Sequence, residues 1–180
     1  MTISGKSGAG RVLSAQLDQR SLVRLCCDVL FARSHLDIRC TDGPGDGGRD
    51  IHSLDRKGSR HLAQCKFHGN MDQACSSADL SELPMAMIKM DYATGTFFTN
   101  SRISPQGMRE YLDSYPNLSL EFLDGDCLAE EVLANPLLRA VWFDGQTIVR
   151  VNNAVVIPLI ARLHDRDVPI HPLRSLIEII

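Results

Sequence analysis

Three polar residues in two neighbouring apolar segments are suited to cutting a phosphodiester bond: Asp50, Gln64 and Lys66. A carboxylate, an amide oxygen and the backbone carbonyl of Cys65 are hard oxygen ligands, which Mg²⁺ or Mn²⁺ binds together with water and a phosphate oxygen. Such an ion activates water and neutralises developing negative charge. A lysine beside the ion orients the attacking water and stabilises charge on the phosphate. The set is sufficient for metal-dependent hydrolysis.

The strands that carry these residues are predicted to form an antiparallel hairpin. Residues 49–54 and 60–67 are runs with strand character, and residues 55–59 between them, Asp-Arg-Lys-Gly-Ser, have the composition of a turn. The candidate site is therefore expected on two adjacent strands.

The register of this hairpin decides whether the side chains meet. A three-residue turn at 57–59 pairs Asp50 with Lys66 and His52 with Gln64, and directly paired residues share one face of a sheet. All four then project from the same face. A two-residue turn at Lys57-Gly58 would break this arrangement.

The remaining elements predict an α/β fold with a mixed central sheet flanked by helices. The order is one helix, three strands, a helix and a strand, followed by further alternation. We expect helices at residues 14–30, 78–92, 104–115, 126–133 and 136–143. We expect strands at residues 36–40, 49–54, 60–67, 95–99, 118–123 and 147–151. Residues 1–13 are predicted to be a flexible lead-in, 14–143 the main domain, and 144–180 an extension or linker.

The segment Gly45-Asp46-Gly47-Gly48-Arg49-Asp50, followed by Gln64-Cys65-Lys66, resembles the signature of Mrr-like restriction endonucleases, which belong to the PD-(D/E)xK nuclease superfamily. In that family a glycine-rich loop leads into the strand with the metal-binding aspartate, and the third motif residue is often glutamine. The resemblance extends over roughly residues 14–133, including Thr99-Asn100 at a strand end and Leu123-Asp124-Gly125 before a helix.

This resemblance implies a restriction-endonuclease-like core that cleaves double-stranded DNA with Mg²⁺, or with Mn²⁺ in its place. Asp50 and Gln64 would bind the metal, Lys66 would be catalytic, and Asp46 would support the site together with His52. We expect the effector nuclease module of a prokaryotic antiviral defence or type IV restriction-like protein. The module is expected to self-associate and to be joined to a sensor or NTPase module.

One departure from the family pattern favours an alternative. Such nucleases often carry a glutamate on the first helix near the metal, whereas residues 22–26 here read Leu-Val-Arg-Leu-Cys. Asp28 or Asp18 replaces it only if the helix presents that residue inward. The alternative is a weakly active or inactive nuclease-fold domain that binds nucleic acid or mediates oligomerisation; a third reading changes the substrate to RNA or branched DNA.

A local excess of basic residues surrounds the hairpin. It comprises Arg49, Arg56, Lys57, Arg60 and His68, which we expect to contact DNA phosphates. A zinc site built from His61, Cys65, His68 and Cys75 is disfavoured because its spacing fits no common ligand pairing. Trp142 and Phe143 are expected in the core rather than in a base-stacking platform.

The amino-acid composition limits the classes of protein to which this chain can belong. The 180 residues are 44% hydrophobic and 23% charged, which is typical of a globular protein, and the net charge of -3 argues against a protein coated with basic residues. The six cysteines show no disulfide framework and are expected to be reduced. Without an apolar run long enough for a membrane span or a signal peptide, we expect a cytoplasmic protein.

Overall fold

A computed structural model describes residues 8–41, 51–70, 72–143, 146–151 and 154–160. The helices are α1 (Gly8–Gln16), α2 (Gln19–Ala32), α3 (Ser77–Met90), α4 (Pro105–Ser114), α5 (Gly125–Ala134) and α6 (Pro136–Trp142). The strands are β1 (Leu36–Cys40), β2 (Ile51–Leu54), β3 (Arg60–Lys66), β4 (Thr94–Thr99), β5 (Ser119–Leu123), β6 (Gln146–Val151) and β7 (Ala154–Ile160).

The first five strands form a mixed sheet in the order β1-β2-β3-β4-β5. The pairs β1–β2 and β2–β3 are antiparallel, whereas β3–β4 and β4–β5 are parallel. Parallel neighbours need a crossover connection, which α3 and α4 provide. Strands β6 and β7 pair antiparallel in a separate two-stranded sheet. The predicted α/β class with a mixed central sheet flanked by helices is confirmed.

Strands β3 and β4 supply side chains to cores on both faces of the sheet, because neighbouring residues of a strand point in opposite directions. Ala63 and Phe98 belong to a core that also contains residues of α2, α5 and α6. Leu62 and Phe97 belong to a second core, formed with α3 and the partly buried residues of α4. The central strands are therefore enclosed between two layers of helices.

The amino-terminal helical region consists of two helices, not the single helix expected to begin near Ser14. Asp18 interrupts it, since its side chain accepts a hydrogen bond from Ser21 N at 2.7 Å and caps α2. Helix α1 covers residues 8–13, which were expected to be part of a flexible lead-in, and Leu13 is buried. Residues 1–7 lie outside the described residues.

The hairpin register differs from the expected one by two positions. His52 pairs with Leu62, and Leu54 pairs with Arg60, so His52 does not face Gln64. The turn has three residues, as expected, but they are 56–58, with Gly58 last. Gly58 has φ of 79°, a left-handed conformation that favours glycine at this place in the turn. Because the shift is an even number, His52, Gln64 and Lys66 still occupy one face.

Replacing Gly58 with alanine is expected to lower the free energy of unfolding by about 1–2 kcal/mol, since a Cβ is unfavourable in the left-handed conformation. A Cβ at Gly58 would contact no atom within 4 Å, so the loss would come from the backbone alone. Urea denaturation measures it. Gly69→Ala is the matched control, because Gly69 is equally open and lacks a positive φ; equal stability of the two variants would contradict the proposed turn.

None of the described helices is both long enough and apolar enough to cross a membrane. None of the six cysteines forms a disulfide bond.

Candidate functional site

Gln64 and Lys66 lie near the carboxyl end of β3, on the face that packs against α3. Both are paired only with β4 in the described ladders, at Phe97 and Thr99, because the described pairing with β2 ends at Ala63. Gln64 is almost fully buried at 2% exposure, while the Lys66 side chain is 33% exposed. The site thus combines a buried amide with an ammonium group that solvent can reach.

Two carboxylates from α3 face this pair. Lys66 Nζ lies 3.0 Å from Asp79 Oδ1 and 3.6 Å from Glu82 Oε1. Gln64 Nε2 donates a hydrogen bond to Glu82 Oε2 at 2.5 Å. Asp79 and Glu82 are three residues apart on a helix and therefore share one of its faces. The first turns of α3 thus hold both motif side chains of β3.

The orientation of the Gln64 amide follows from Glu82. A carboxylate accepts hydrogen bonds and cannot donate them when ionised, so the amide nitrogen must face Glu82 and Oε1 must point away. Within the described part of the chain, this buried Oε1 has no hydrogen-bond partner. A buried polar atom without a partner is costly, which is why a cation or an ordered water is the expected occupant beside it. The atom fits the predicted role of metal ligand.

Lys66 is held in its charged form. Burial lowers the pKa of Lys66, but the hydrogen bond from Lys66 to Asp79 and the charge of Glu82 outweigh burial and raise the pKa above its usual value. Burial also raises the pKa of Asp79, and hydrogen bonds from Ser76 and Lys66 overcome this effect and bring the pKa to about 2. Lys66 is thus an ammonium ion at neutral pH, suited to stabilising negative charge rather than to removing a proton.

Part of the predicted site falls on residues that the structure does not describe. Asp46, Arg49 and Asp50 belong to the range 42–50, which lies outside the described residues. Asp50 directly precedes Ile51, the first residue of β2, and Ile51 pairs with Ala63, the neighbour of Gln64.

The other predicted residues are spread along the hairpin. His52 Nδ1 lies 2.6 Å from the hydroxyl oxygen of Tyr92, and the Arg60 guanidinium lies 4.2 Å from the centroid of the same ring. Both line a depression of about 340 Å³ together with Tyr92. Arg56 and Lys57 are exposed in the turn. His68, beyond the end of β3, lies near Cys75 and Asp79.

Asp28 is presented inward, at 1% exposure, where it accepts a hydrogen bond from Trp142 Nε1 at 3.0 Å. Trp142 is itself buried, which confirms that it belongs to the core. Asp28 lies on α2, in the core on the sheet face opposite to that of Gln64, and Asp18 is used as the cap of α2.

Sequence reasoning overlooked Asp79 and Glu82. The available signal was a pair of acidic residues at helical spacing in the predicted helix that follows the Gln64-Cys65-Lys66 strand. A helix that returns along a parallel sheet packs on the strand before it, so its inward carboxylates meet that strand's polar residues. Asn100, expected only as a strand-end residue, also acts here: its side chain accepts from His68 N and donates to His68 O, at 2.8 and 2.9 Å.

Comparison with known families identifies the family to which this fold and site belong. The family model of the Mrr catalytic domain, described as restriction endonuclease, matches residues 14–132. The chain therefore belongs to the Mrr-type restriction endonuclease family, as its motifs suggested. Membership in this family supports the assignment of the chain as a nuclease.

A solved structure with a TM-score above 0.5 supports the fold. The DNA modification-dependent restriction endonuclease AspBHI is similar with a TM-score of 0.57 and 17% sequence identity, over 80% of this chain and 42% of that chain. MspJI restriction endonuclease, in complex with a 27-mer oligonucleotide, matches with a TM-score of 0.45 and 19% identity, over 75% of this chain and 32% of that chain. The chain thus spans less than half of either enzyme. A comparison with curated proteins finds no match.

Proposed function

We propose that this protein is a Mg²⁺-dependent endonuclease that hydrolyses the phosphodiester bonds of double-stranded DNA. The observation that carries the proposal is the buried Oε1 of Gln64, which lacks a hydrogen-bond partner among the described residues and lies two residues before Lys66 on the same strand face. The glutamine and lysine of the family motif therefore present an oxygen ligand and a cation from one short segment.

Asp50, Gln64 Oε1 and the backbone carbonyl of Cys65 are the proposed ligands of the ion, and Mn²⁺ is expected to substitute. Bound there, the ion would supply an activated water and neutralise phosphate charge. Lys66, kept protonated by Asp79 and Glu82, would stabilise the negative charge that develops on the phosphate. Glu82 would orient the Gln64 amide, while Asp46 and His52 are proposed to support the site.

DNA is the proposed substrate because the hairpin that carries Gln64 and Lys66 also carries several basic side chains. Arg56, Lys57 and Arg60, with Arg49, are proposed to contact backbone phosphates, which positions the duplex without reading its sequence. His68, expected from the sequence to join them, is only 10% exposed and lies against Cys75 and Asp79, so it is left out of this surface. Cutting both strands needs two sites, so we propose self-association.

The proposed cellular role is that of an effector nuclease in prokaryotic antiviral defence or in a type IV restriction-like protein. The chain spans 42% of AspBHI, a DNA modification-dependent restriction endonuclease. A longer protein that joins a nuclease to a sensor or NTPase module is consistent with that fraction. We propose that such a protein acts in the cytoplasm.

A second candidate function is nucleic-acid binding by a nuclease fold with weak or no activity. The observation that favours it is the missing helix glutamate: α2 carries Arg24 within its Leu-Val-Arg-Leu-Cys segment, and Asp28 is bonded to Trp142. Fewer carboxylates mean weaker binding of a divalent ion. The same site acting on RNA or branched DNA is distinguished by comparing substrates.

The test is cleavage of supercoiled plasmid with Mg²⁺, with Mn²⁺ and with EDTA, at protein concentrations that favour oligomers. We expect cutting with either metal and none with EDTA. Asp50→Ala is expected to lower the rate about 10²-fold or more, since a lost metal ligand removes several kcal/mol of transition-state stabilisation. Asp113→Ala removes an exposed carboxylate of α4 and is the matched control.

Cutting that persists in EDTA, or in Asp50→Ala at the wild-type rate, would contradict the proposed site. If oligomeric protein binds DNA without cutting it under any metal condition, the binding function replaces the nuclease. Parallel assays with RNA and branched DNA decide the substrate.

A further inference from the structure

Three side chains of different types meet just beyond the end of β3. His68, Cys75 and Asp79 each offer one ligand atom, and these atoms all lie within 4.8 Å of one another. Cys75 Sγ is 3.4 Å from His68 Nε2, and His68 Nε2 is 3.9 Å from Asp79 Oδ2. Two ligands bound to one tetrahedral Zn²⁺ are about 3.5 Å apart, given metal–ligand bonds of about 2.0–2.3 Å. The spacing is therefore close to that of a metal centre.

Each member of the cluster is held in place by a separate part of the fold. The Asn100 side chain makes two hydrogen bonds to the backbone of His68, at 2.8 and 2.9 Å. Cys75 N donates to Arg102 O at 2.9 Å, in a short bridge between the two segments. Asp79 is positioned by the capping box at the start of α3. Ligands that are held by such second contacts bind a metal with little reorganisation.

We propose that His68, Cys75 and Asp79 form a binding site for Zn²⁺ or a chemically similar divalent transition metal, separate from the proposed Mg²⁺ site. An imidazole and a thiolate select borderline ions such as Zn²⁺, whereas Mg²⁺ requires oxygen ligands. On binding, the Cys75 thiol gives its proton to solvent. No other His, Cys, Asp or Glu joins this cluster in the part of the chain that the structure describes, so water takes the fourth position.

The surrounding charges suit this site. Lys66 Nζ, 3.0 Å from Asp79, would repel a cation, but Asp79, Glu82 and the thiolate together balance Lys66 and a divalent ion. The ion and Lys66 would share the Asp79 carboxylate, which links the metal site directly to the motif lysine. The ion would also join the segment after β3 to the start of α3. The inference rests on this geometry and not on the proposed nuclease activity.

The four-residue zinc set that was disfavoured from the sequence does not form one cluster in the structure. His68 and Cys75 come together, whereas His61 and Cys65 point to the opposite face of β3. His61 is engaged by the hydroxyl groups of Thr94 and Thr96, each at 3.1 Å. The third proposed ligand is instead Asp79, which belongs to the following helix. A search for the spacing of histidines and cysteines could not identify it.

The test is titration of the reduced, metal-free protein with Co²⁺, a spectroscopic substitute for Zn²⁺. We expect one equivalent of Co²⁺ to produce intense tetrahedral absorption and a thiolate-to-cobalt charge-transfer band, and Zn²⁺ to displace this equivalent. An oxygen-only Mg²⁺ site cannot produce the thiolate band. The variants are Cys75→Ser and His68→Gln, and Cys127→Ser is the matched control, since Cys127 lies on α5 outside the cluster.

Loss of the band in both variants, with Zn²⁺ affinity reduced by more than about tenfold and folding retained by circular dichroism, is the expected result. The Cys127→Ser control is expected to retain the band. Absence of the band from the wild type, or its persistence in Cys75→Ser, overturns the proposal. Should Cys75→Ser fail to fold, His68→Gln carries the decision, because an unchanged band in that variant would equally exclude the site.

Discussion

Lys66→Ala is expected to lower the rate of DNA cleavage by about 10²–10³-fold while leaving DNA binding nearly unchanged. The ammonium group lies between Asp79 and Glu82, which raise its pKa and keep it protonated. A cation held in this way stabilises the charged transition state more than the ground state, so its loss should reduce the chemical step. Single-turnover cleavage with saturating protein measures that step directly.

Two variants make this result specific. Lys89→Ala removes an exposed lysine from the last turn of α3, outside the proposed site, and should change the single-turnover rate little. Lys66→Arg keeps the charge but not the compact shape of the ammonium group, and we expect it to recover part of the rate. Equal rates for Lys66→Ala and wild type would exclude Lys66 from the chemistry, whatever their DNA affinities.

Protein stability is expected to fall by about 3 kcal/mol between pH 8 and pH 4 because of His61 alone. The residue is buried between Thr94 and Thr96, and its ring lies 4.7 Å from that of His35. Burial, followed by the charge of His35, lowers the pKa of His61 from 6.5 to about 4. The unfolded chain therefore takes up a proton near pH 6.5 that the folded protein resists until about pH 4. Stability is complete above the higher value and decreases as pH falls through this window.

The variant His61→Gln separates this effect from other titrations. Glutamine keeps hydrogen-bonding groups but cannot ionise, so its free energy of unfolding should decrease less steeply over the same pH range. Burial also lowers the pKa of His35, which contributes to the loss in both proteins. Urea denaturation at a series of pH values supplies the two curves. Parallel curves for wild type and His61→Gln would show that His61 titrates normally in the folded state.

The common face of Gln64 and Lys66 was predictable because strand alternation depends only on whether the residue numbers differ by an even count. The exact partners were not. They depend on which three residues form the turn, and Gly58 placed that turn one position earlier than expected. The choice of register reflects a backbone conformation and not the pattern of apolar residues, which fits either alignment.

The helical contributions to the site and core were harder to foresee. Asp79 and Glu82 become relevant only when α3 packs on β3, which is a tertiary contact. Residues 8–13 were expected to be flexible because they are rich in glycine. Yet a Cβ at Gly10 would overlap the Asp126 side chain, so the glycine permits close packing of α1 on α5. Glycine therefore favours flexibility in a free segment but allows close packing where two helices are in contact.

The short turn between β2 and β3 has a consequence for the order of folding. A hairpin closed by so few residues forms locally in about 1–10 μs, whereas β4 reaches β3 only after α3 has crossed the sheet. Parallel pairing of distant segments is intrinsically slower, because the entropy of the intervening chain must be lost first. The strand that carries Gln64 and Lys66 is therefore expected to acquire its antiparallel partner early, with the docking of β4 as the slow step that completes the sheet.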